Sequence, residues 1–149
     1  MKILIAYATY TSGTMSAAEF LAKTLTEKGN QVDLKQIAEL GFDDCLPYDL
    51  RIFSSPSWDY EDKGAWPHVD FVAFMEKSAG KSFTGKACAV FGLGDSSYEV
   101  FCGAVDMIEE FIKKAGGKLV LPSLKIDNYF FDMNGYNQKL ADWASKLSS

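Results

Sequence analysis

Apolar positions in this chain recur with two different periods, and the switches between them lay out its elements. Ile3-Leu4-Ile5-Ala6-Tyr7 is a short apolar run that reads as a first strand. From Met15 to Lys28 the period becomes helical, with Ala18, Leu21, Ala22 and Leu25 at i, i+3, i+4 and i+7, and Gly29-Asn30 stops the helix. Val32-Asp33-Leu34 alternates as a half-exposed edge strand does. Residues 37–49 read as loop with one weak helical turn, and Leu50-Arg51-Ile52-Phe53 as a third strand ending at Ser54-Ser55-Pro56. Residues 56–67 read as a long loop. Pro67 suits a helix start, and Val69, Val72 and Phe74 carry that helix to Lys77. Ala87-Cys88-Ala89-Val90-Phe91 is continuously apolar, as a central parallel strand covered on both faces must be. A second long loop, 92–103, precedes the strongest amphipathic helix, with Ala104, Val105, Ile108, Phe111 and Ile112 on one stripe. Gly116-Gly117 ends it, Lys118-Leu119-Val120-Leu121 reads as a fifth strand, and Tyr136, Leu140, Trp143, Ala144 and Leu147 predict a closing helix.

Strands alternating with helices predict an α/β fold: a doubly wound five-stranded parallel sheet with right-handed crossovers and helices on both faces. No repeat or linker breaks the pattern, so residues 1–149 form one domain. In such a sheet the ligand lies beyond the carboxyl ends of the strands, where the strand order reverses. With order 2-1-3-4-5, the loops after strands 1, 3 and 4 become neighbours there.

Composition narrows the partners. A net charge of −5 disfavours nucleic acid and anionic membrane, which demand basic patches, and favours partners with basic surfaces. No run is long enough to span a bilayer, and the apolar start is too short for a signal peptide. Cys45, Cys88 and Cys102 have no C-x-x-C spacing, so neither a metal site nor a redox dithiol is expected, and a reducing cytoplasm suits the chain. Aromatic residues reach 14%, which raises the question of what planar group they hold.

The candidate chemistry starts in the loop after strand 1, Thr9-Tyr10-Thr11-Ser12-Gly13-Thr14. The first N–H groups of a helix lack partners and carry the positive end of its dipole, so a phosphate placed there collects them together with the loop hydroxyls. Gly13 lets the chain turn tightly. The loop holds no Lys or Arg, and the chain has no G-x-x-x-x-G-K-[ST], so a single phosphate held by neutral donors is expected rather than a triphosphate. The other two loops each present a large aromatic, Trp58 and Tyr98, which can sandwich a flat ring. One phosphate beside one planar slot describes FMN.

Gly92-Leu93-Gly94-Asp95-Ser96-Ser97-Tyr98-Glu99-Val100-Phe101-Cys102-Gly103-Ala104-Val105-Asp106 resembles the second flavin loop and following helix of short-chain flavodoxins, particularly those of sulfate-reducing bacteria. The loop 9–14 is similar to the family's T-x-T-G-x-T, and Ser57-Trp58 to its first flavin loop. No long insertion interrupts residues 118–126, which is what places the resemblance in the short-chain group. The resemblance covers essentially the whole chain and implies a flavodoxin-like fold and a low-potential one-electron carrier with non-covalent FMN. It implies that Thr9, Tyr10, Thr11, Ser12, Gly13 and Thr14 hold the phosphate. Pro56, Ser57, Trp58, Asp59 and Tyr60 would form one flavin loop, with Trp58 on one ring face. Leu93, Gly94, Asp95, Tyr98, Val100, Phe101 and Cys102 would form the other, with Tyr98 on the opposite face and the backbone of Asp95, Val100 and Cys102 at the pyrimidine edge. No residue is expected to act as a catalytic acid, base or nucleophile. The implied partners are a reductase as donor and an oxidoreductase as acceptor, each with a basic surface, and the implied state is a cytoplasmic monomer.

Three departures from the family pattern stand out. Ser12-Gly13 replaces the family's Gly-Asn, which moves the glycine one place. Asp59 stands where many members have Gly, whose peptide turns over on one-electron reduction; Asp adopts the positive φ less readily, so a less stable one-electron-reduced state is expected. The first flavin loop is about two residues longer, with Trp66 and His68 nearby. Asp59, Glu61, Asp62, Asp95 and Glu99 face only Lys63 on the two loops, and negative charge beside the ring lowers the potential of the second electron.

Rival readings fail on residues or need other features. Gly92-Leu93-Gly94 lacks the third glycine of a dinucleotide fingerprint and follows the wrong strand. A flavin-free phosphoacceptor receiver needs an acidic pair after strand 1 and an Asp after strand 3, where this chain has Tyr7 to Thr14 and Ser54-Ser55. A quinone-reductase-like flavoenzyme needs an open ring edge, against which two clamping aromatics argue. His68, the lone histidine, is expected to be structural.

Overall fold

The computed structural model describes residues 1–10, 12–59, 65–97 and 100–147. Its elements run β1 (Lys2–Tyr7), α1 (Gly13–Glu27), β2 (Gln31–Gln36), 3₁₀ turns at Ile37–Glu39 and Phe42–Cys45, β3 (Leu50–Asp59) and β4 (Ala65–Pro67). There follow α2 (Val69–Lys77), β5 (Ala87–Gly94), α3 (Gly103–Lys114), β6 (Lys118–Leu119), β7 (Leu124–Asp127), a 3₁₀ turn at Tyr129–Phe131, and α4 (Met133–Ser145).

The sheet order is β2-β1-β3-β5, with β6 and β7 sharing the fifth position beside β5. These strands pair in parallel, so the five-position 2-1-3-4-5 order holds. The period-2 alternation of the strands sorts their side chains onto two faces. Ile3, Ile5, Ile52, Ala89 and Phe91 pack with Leu21 and Leu25 of α1 and Leu140 and Trp143 of α4. Leu4, Ala6, Phe53, Cys88 and Val90 pack with Phe71 and Phe74 of α2 and Val105, Ile108 and Ile112 of α3. Two cores, one on each side of the sheet, are what double winding requires.

The structure corrects the sequence reading in three places. Residues 56–67 are not simply loop: β3 runs on to Asp59 and β4 returns antiparallel to it, pairing Ser57 with Pro67, Trp58 with Trp66 and Asp59 with Ala65. Pro67 therefore closes β4, and α2 begins at Val69, capped by His68. The fifth strand is broken, because Pro122 has no N–H to continue the ladder, and pairing with β5 resumes at Leu124. Likewise β5 extends to Gly94, so the second loop starts later than residue 92.

At the amino-terminal edge of the sheet, Arg51 is 1% exposed. Its Nε donates to the Cys45 carbonyl at 2.6 Å and its Nη1 to the Ala87 carbonyl at 3.1 Å, while Nη2 donates to the Tyr48 carbonyl. Cys45 and Tyr48 lie just before β3, and Ala87 is the first residue of β5. Buried main-chain acceptors need donors, and the guanidinium supplies them from within the sheet.

Candidate functional site

The loops after β1, β3 and β5 meet at the carboxyl edge, joined by the turn after β7. They enclose a cleft of about 230 Å³ lined by Thr9, Tyr10, Gly13, Thr14, Pro56, Ser57, Leu93, Gly94, Asp95, Tyr129 and Phe130. α1 points its start into this cleft without any side-chain cap. Its first intrahelical bond is from the Ser16 N–H to the Ser12 carbonyl at 2.9 Å. Thr14 is 1% exposed, and the buried hydroxyls of Thr9 and Thr14 find no partner among the described residues. A buried hydroxyl without a partner costs about 1–3 kcal/mol, so two of them beside an uncapped helix start form a prepared acceptor for an anion. Residues and ligand class match: a phosphate supplies the acceptors that these donors lack.

The tight turn of this loop falls on Ser12 rather than Gly13. Ser12 takes φ 67°, ψ 0°, the left-handed conformation, whereas Gly13 is the first helical residue. Gly13 stands close to its neighbours: a Cβ there would lie 3.2 Å from Leu93 Cδ2 and 3.3 Å from Phe130 Cε2, so those side chains would have to give by a few tenths of an ångström. A serine thus holds a conformation that a glycine takes without strain. Ser12→Gly is therefore expected to stabilise the apoprotein by about 0.5–1 kcal/mol, strain relief exceeding the added chain entropy. Urea unfolding with an unchanged m-value checks it; a loss of stability would show that the serine is unstrained.

The β5 loop is held by carboxylates. The Ser96 N–H donates to Asp127 at 2.9 Å, and Asn128 Nδ2 donates to Asp127 at 2.8 Å and to Asp95 at 3.4 Å. The Ser97 N–H and hydroxyl donate to Asp95 at 2.8 and 2.7 Å. The Ser97 hydroxyl and N–H hold the Asp95 carboxyl below its ordinary value. Gly94 permits a close approach, since a Cβ would lie 2.7 Å from Cys102 Sγ and 3.1 Å from the Cys102 nitrogen. Cys102 is buried in a left-handed conformation before α3, and the Ser57 hydroxyl accepts from the Ala104 N–H at 3.0 Å. Burial pushes the Cys102 thiol up to about 12, so it stays protonated.

His68 lies between the β1 and β3 loops. Its Nδ1 accepts from the Asp70 N–H at 3.0 Å and lies 3.6 Å from the Asp70 carboxylate, and its ring stacks on Tyr10 at 4.0 Å and 28°. Burial lowers its pKa below 6.5, against the pull of Asp70 and of its hydrogen bond to the Thr9 main chain. With the folded value depressed, the stability this group contributes is complete above about pH 6.5 and is lost as pH falls through the lower folded value. The urea midpoint of the apoprotein is expected to fall further between about pH 7 and about pH 5 than that of His68→Gln; equal falls contradict it.

Of the residues expected at the site, Thr9, Tyr10, Gly13, Thr14, Pro56, Ser57, Leu93, Gly94 and Asp95 line the cleft. Ser12 shapes the loop, and Val100 is exposed. Phe101 packs against the core beneath α3. Trp58 and Asp59 are placed by main-chain pairing in the β3–β4 hairpin. Thr11, Tyr60 and Tyr98 lie outside the described residues. Sequence reasoning missed Tyr129 and Phe130. Adjacent aromatics just past the last strand, at the ligand edge, were the signal for them.

An uncapped helix start with buried hydroxyls, set in the crevice of an open parallel sheet, defines an anion-binding doubly wound α/β protein. The chain belongs to the flavodoxin family, whose model, described as Flavodoxin, matches residues 5–129. Flavodoxins are themselves a type case of this strand order. The chain is 41% identical over 133 residues to a probable flavodoxin 2 of Bacillus subtilis, covering 85% of this chain and 82% of the relative. It is 37% identical over 148 residues to a flavodoxin of Maridesulfovibrio salexigens, covering 99% and 97%. Among solved structures, oxidised flavodoxin 2 from Bacillus cereus superposes with a TM-score of 0.89 at 31% identity, covering 99% and 98%. A Fusobacterium nucleatum flavodoxin bound to flavin mononucleotide shares the fold at 20% identity, with a TM-score of 0.83 and coverage of 98% and 96%.

Proposed function

We propose that this chain is a low-potential electron carrier that binds one FMN non-covalently. The observation that supports it most directly is the pair of buried, unpartnered hydroxyls of Thr9 and Thr14 at the open start of α1. The relative from Fusobacterium nucleatum, described as bound to flavin mononucleotide, supports the same ligand class. When bound, FMN supplies one-electron chemistry through its ring; the protein supplies binding, orientation and electrostatics.

Thr9, Ser12 and Thr14, with the first N–H groups of α1, take the phosphate, helped by Thr11. Pro56, Ser57, Leu93 and Gly94 wall the cleft, and Trp58 and Tyr98 are assigned to the two ring faces by the family resemblance. The main chain of Asp95, Val100 and Cys102 is assigned to the pyrimidine edge on the same ground. Carboxylates on the two flavin loops disfavour a second negative charge on the ring and attract a basic redox partner. Phe130 and Phe131 stand exposed beside the cleft and offer that partner apolar contact. The protein acts as a monomer in the cytoplasm, as a carrier rather than an enzyme. No helix among the described residues is long and apolar enough to cross a membrane.

Titration of the apoprotein with FMN and with riboflavin tests this reading. One FMN per chain is expected, bound about a hundredfold tighter than riboflavin because several charge-assisted bonds go to phosphate. Equal affinity for both flavins, or for neither, would overturn it.

A further inference from the structure

We propose that His68 is a positioning residue for phosphate recognition: stacked on Tyr10 and capping α2, it fixes the loop that carries Thr9 and Thr14, and it acts only through that loop. The proposal rests on the FMN reading above.

The stacked pair consumes the first two donors of α2. The Val69 N–H reaches the Tyr10 hydroxyl at 3.3 Å, and the Asp70 N–H reaches His68 Nδ1 at 3.0 Å. The His68 N–H donates to the Ser55 hydroxyl at 2.8 Å, and that hydroxyl donates to the Pro56 carbonyl at 2.8 Å. With Nδ1 accepting, the neutral imidazole carries its proton on Nε2. The His68 side chain thus joins the β1 loop to α2, while its main chain joins α2 to β3. The far end of the loop, at Gly13, lines the cleft together with Leu93 and Phe130.

The orphaned hydroxyls explain why this matters. Thr9 and Thr14 stay buried without partners, and such a site collapses or rehydrates unless its frame is rigid. A loop ordered before binding loses less entropy when phosphate arrives, so the frame acts on affinity without touching the ligand. A ring stack and a hydrogen bond together correspond to about tenfold in a dissociation constant. Riboflavin has no phosphate and makes no use of the loop, so its affinity should be spared.

The test titrates wild-type, His68→Asn and His68→Gln apoproteins, both variants lacking the ring, with FMN and with riboflavin at neutral pH. Asn retains an acceptor for the start of α2, as a good N-cap does, but lacks the ring. FMN affinity is expected to fall about tenfold in both variants, with riboflavin affinity within about twofold of wild type. Parallel loss for both flavins would mark a merely structural role and overturn the proposal, as would unchanged FMN affinity in His68→Asn. If the wild-type protein itself does not prefer FMN over riboflavin, the FMN reading fails and takes the proposal with it. A normal preference in wild type, unaltered in the variants, defeats the proposal alone.

Discussion

Thr14→Val is expected to make the apoprotein more stable and its grip on FMN weaker. The side chain is 1% exposed, and its hydroxyl has no partner among the described residues. Valine has nearly the same shape, and its helix propensity is close to that of threonine. Removing an unsatisfied buried hydroxyl should therefore raise stability by about 1 kcal/mol. The same change deletes one donor to a charged phosphate, worth about 1.5–3 kcal/mol, so FMN affinity should fall about 10- to 100-fold. Urea unfolding of the apoprotein and a flavin titration read the two effects separately. Thr14→Ser keeps the hydroxyl and should keep most of the affinity. An apoprotein weakened by the valine would mean that the hydroxyl is satisfied before the ligand arrives, which contradicts a prepared site.

Arg51→Ala is expected to cost the most stability, about 3–5 kcal/mol. Two effects add. The change takes the donor from the carbonyls of Cys45, Tyr48 and Ala87, the first buried and the others partly so, and it removes most of a side chain only 1% exposed, whose guanidinium lies 6.0 Å from the Phe83 ring. No carboxylate pairs with Arg51 among the described residues, so its role is to satisfy main chain rather than to complete an ion pair. Arg51→Met should recover part of the loss by refilling the volume, although the carbonyls stay orphaned. Because Arg51 lies at the sheet edge opposite the cleft, the ratio of FMN to riboflavin affinity should not move in the variant that still folds. A drop of less than about 1 kcal/mol in Arg51→Ala would show that water replaces the guanidinium at those carbonyls.

The fold was legible because its two periods are unusually clean. The continuously apolar strand at Ala87–Phe91 and the stripe from Ala104 to Ile112 fix the central strand and its helix, and the sheet order follows from the topology they imply. The β3–β4 hairpin was not legible. Its composition of Pro, Ser, Asp and Gly reads as loop, and only pairing with Ala65–Pro67 makes Ser57 to Asp59 a strand. Strand propensity is weak where the partner strand supplies the reason to be extended. The break in the fifth strand hangs on the one missing N–H of Pro122, which apolar patterning does not see.

At the site, nine of the residues expected from the resemblance line the cleft. The reading from residues placed the tight turn on Gly13, because a glycine in a loop invites the assumption that it takes the left-handed conformation. Here Ser12 takes it, while Gly13 is helical and close to Leu93 and Phe130. Tyr129 and Phe130 went unassigned because they lie more than a hundred residues along the chain from the loop they pack beside. Sequence distance hides exactly such closures of a cleft by its last connection.

The three cysteines, finally, make the molecule its own stopwatch. Cys45 lies in a 3₁₀ turn beside Arg51, Cys88 in the middle of the sheet and Cys102 beneath the start of α3. All are free and buried, with thiols pushed up to about 12, 11 and 12 by burial. A thiol reagent reaches them only when its own region opens. Timed alkylation followed by mass analysis would thus clock three separate openings in the native chain, with no engineered label. Ligand that braces the cleft should slow the Cys102 clock most and leave that of Cys45 nearest its original pace.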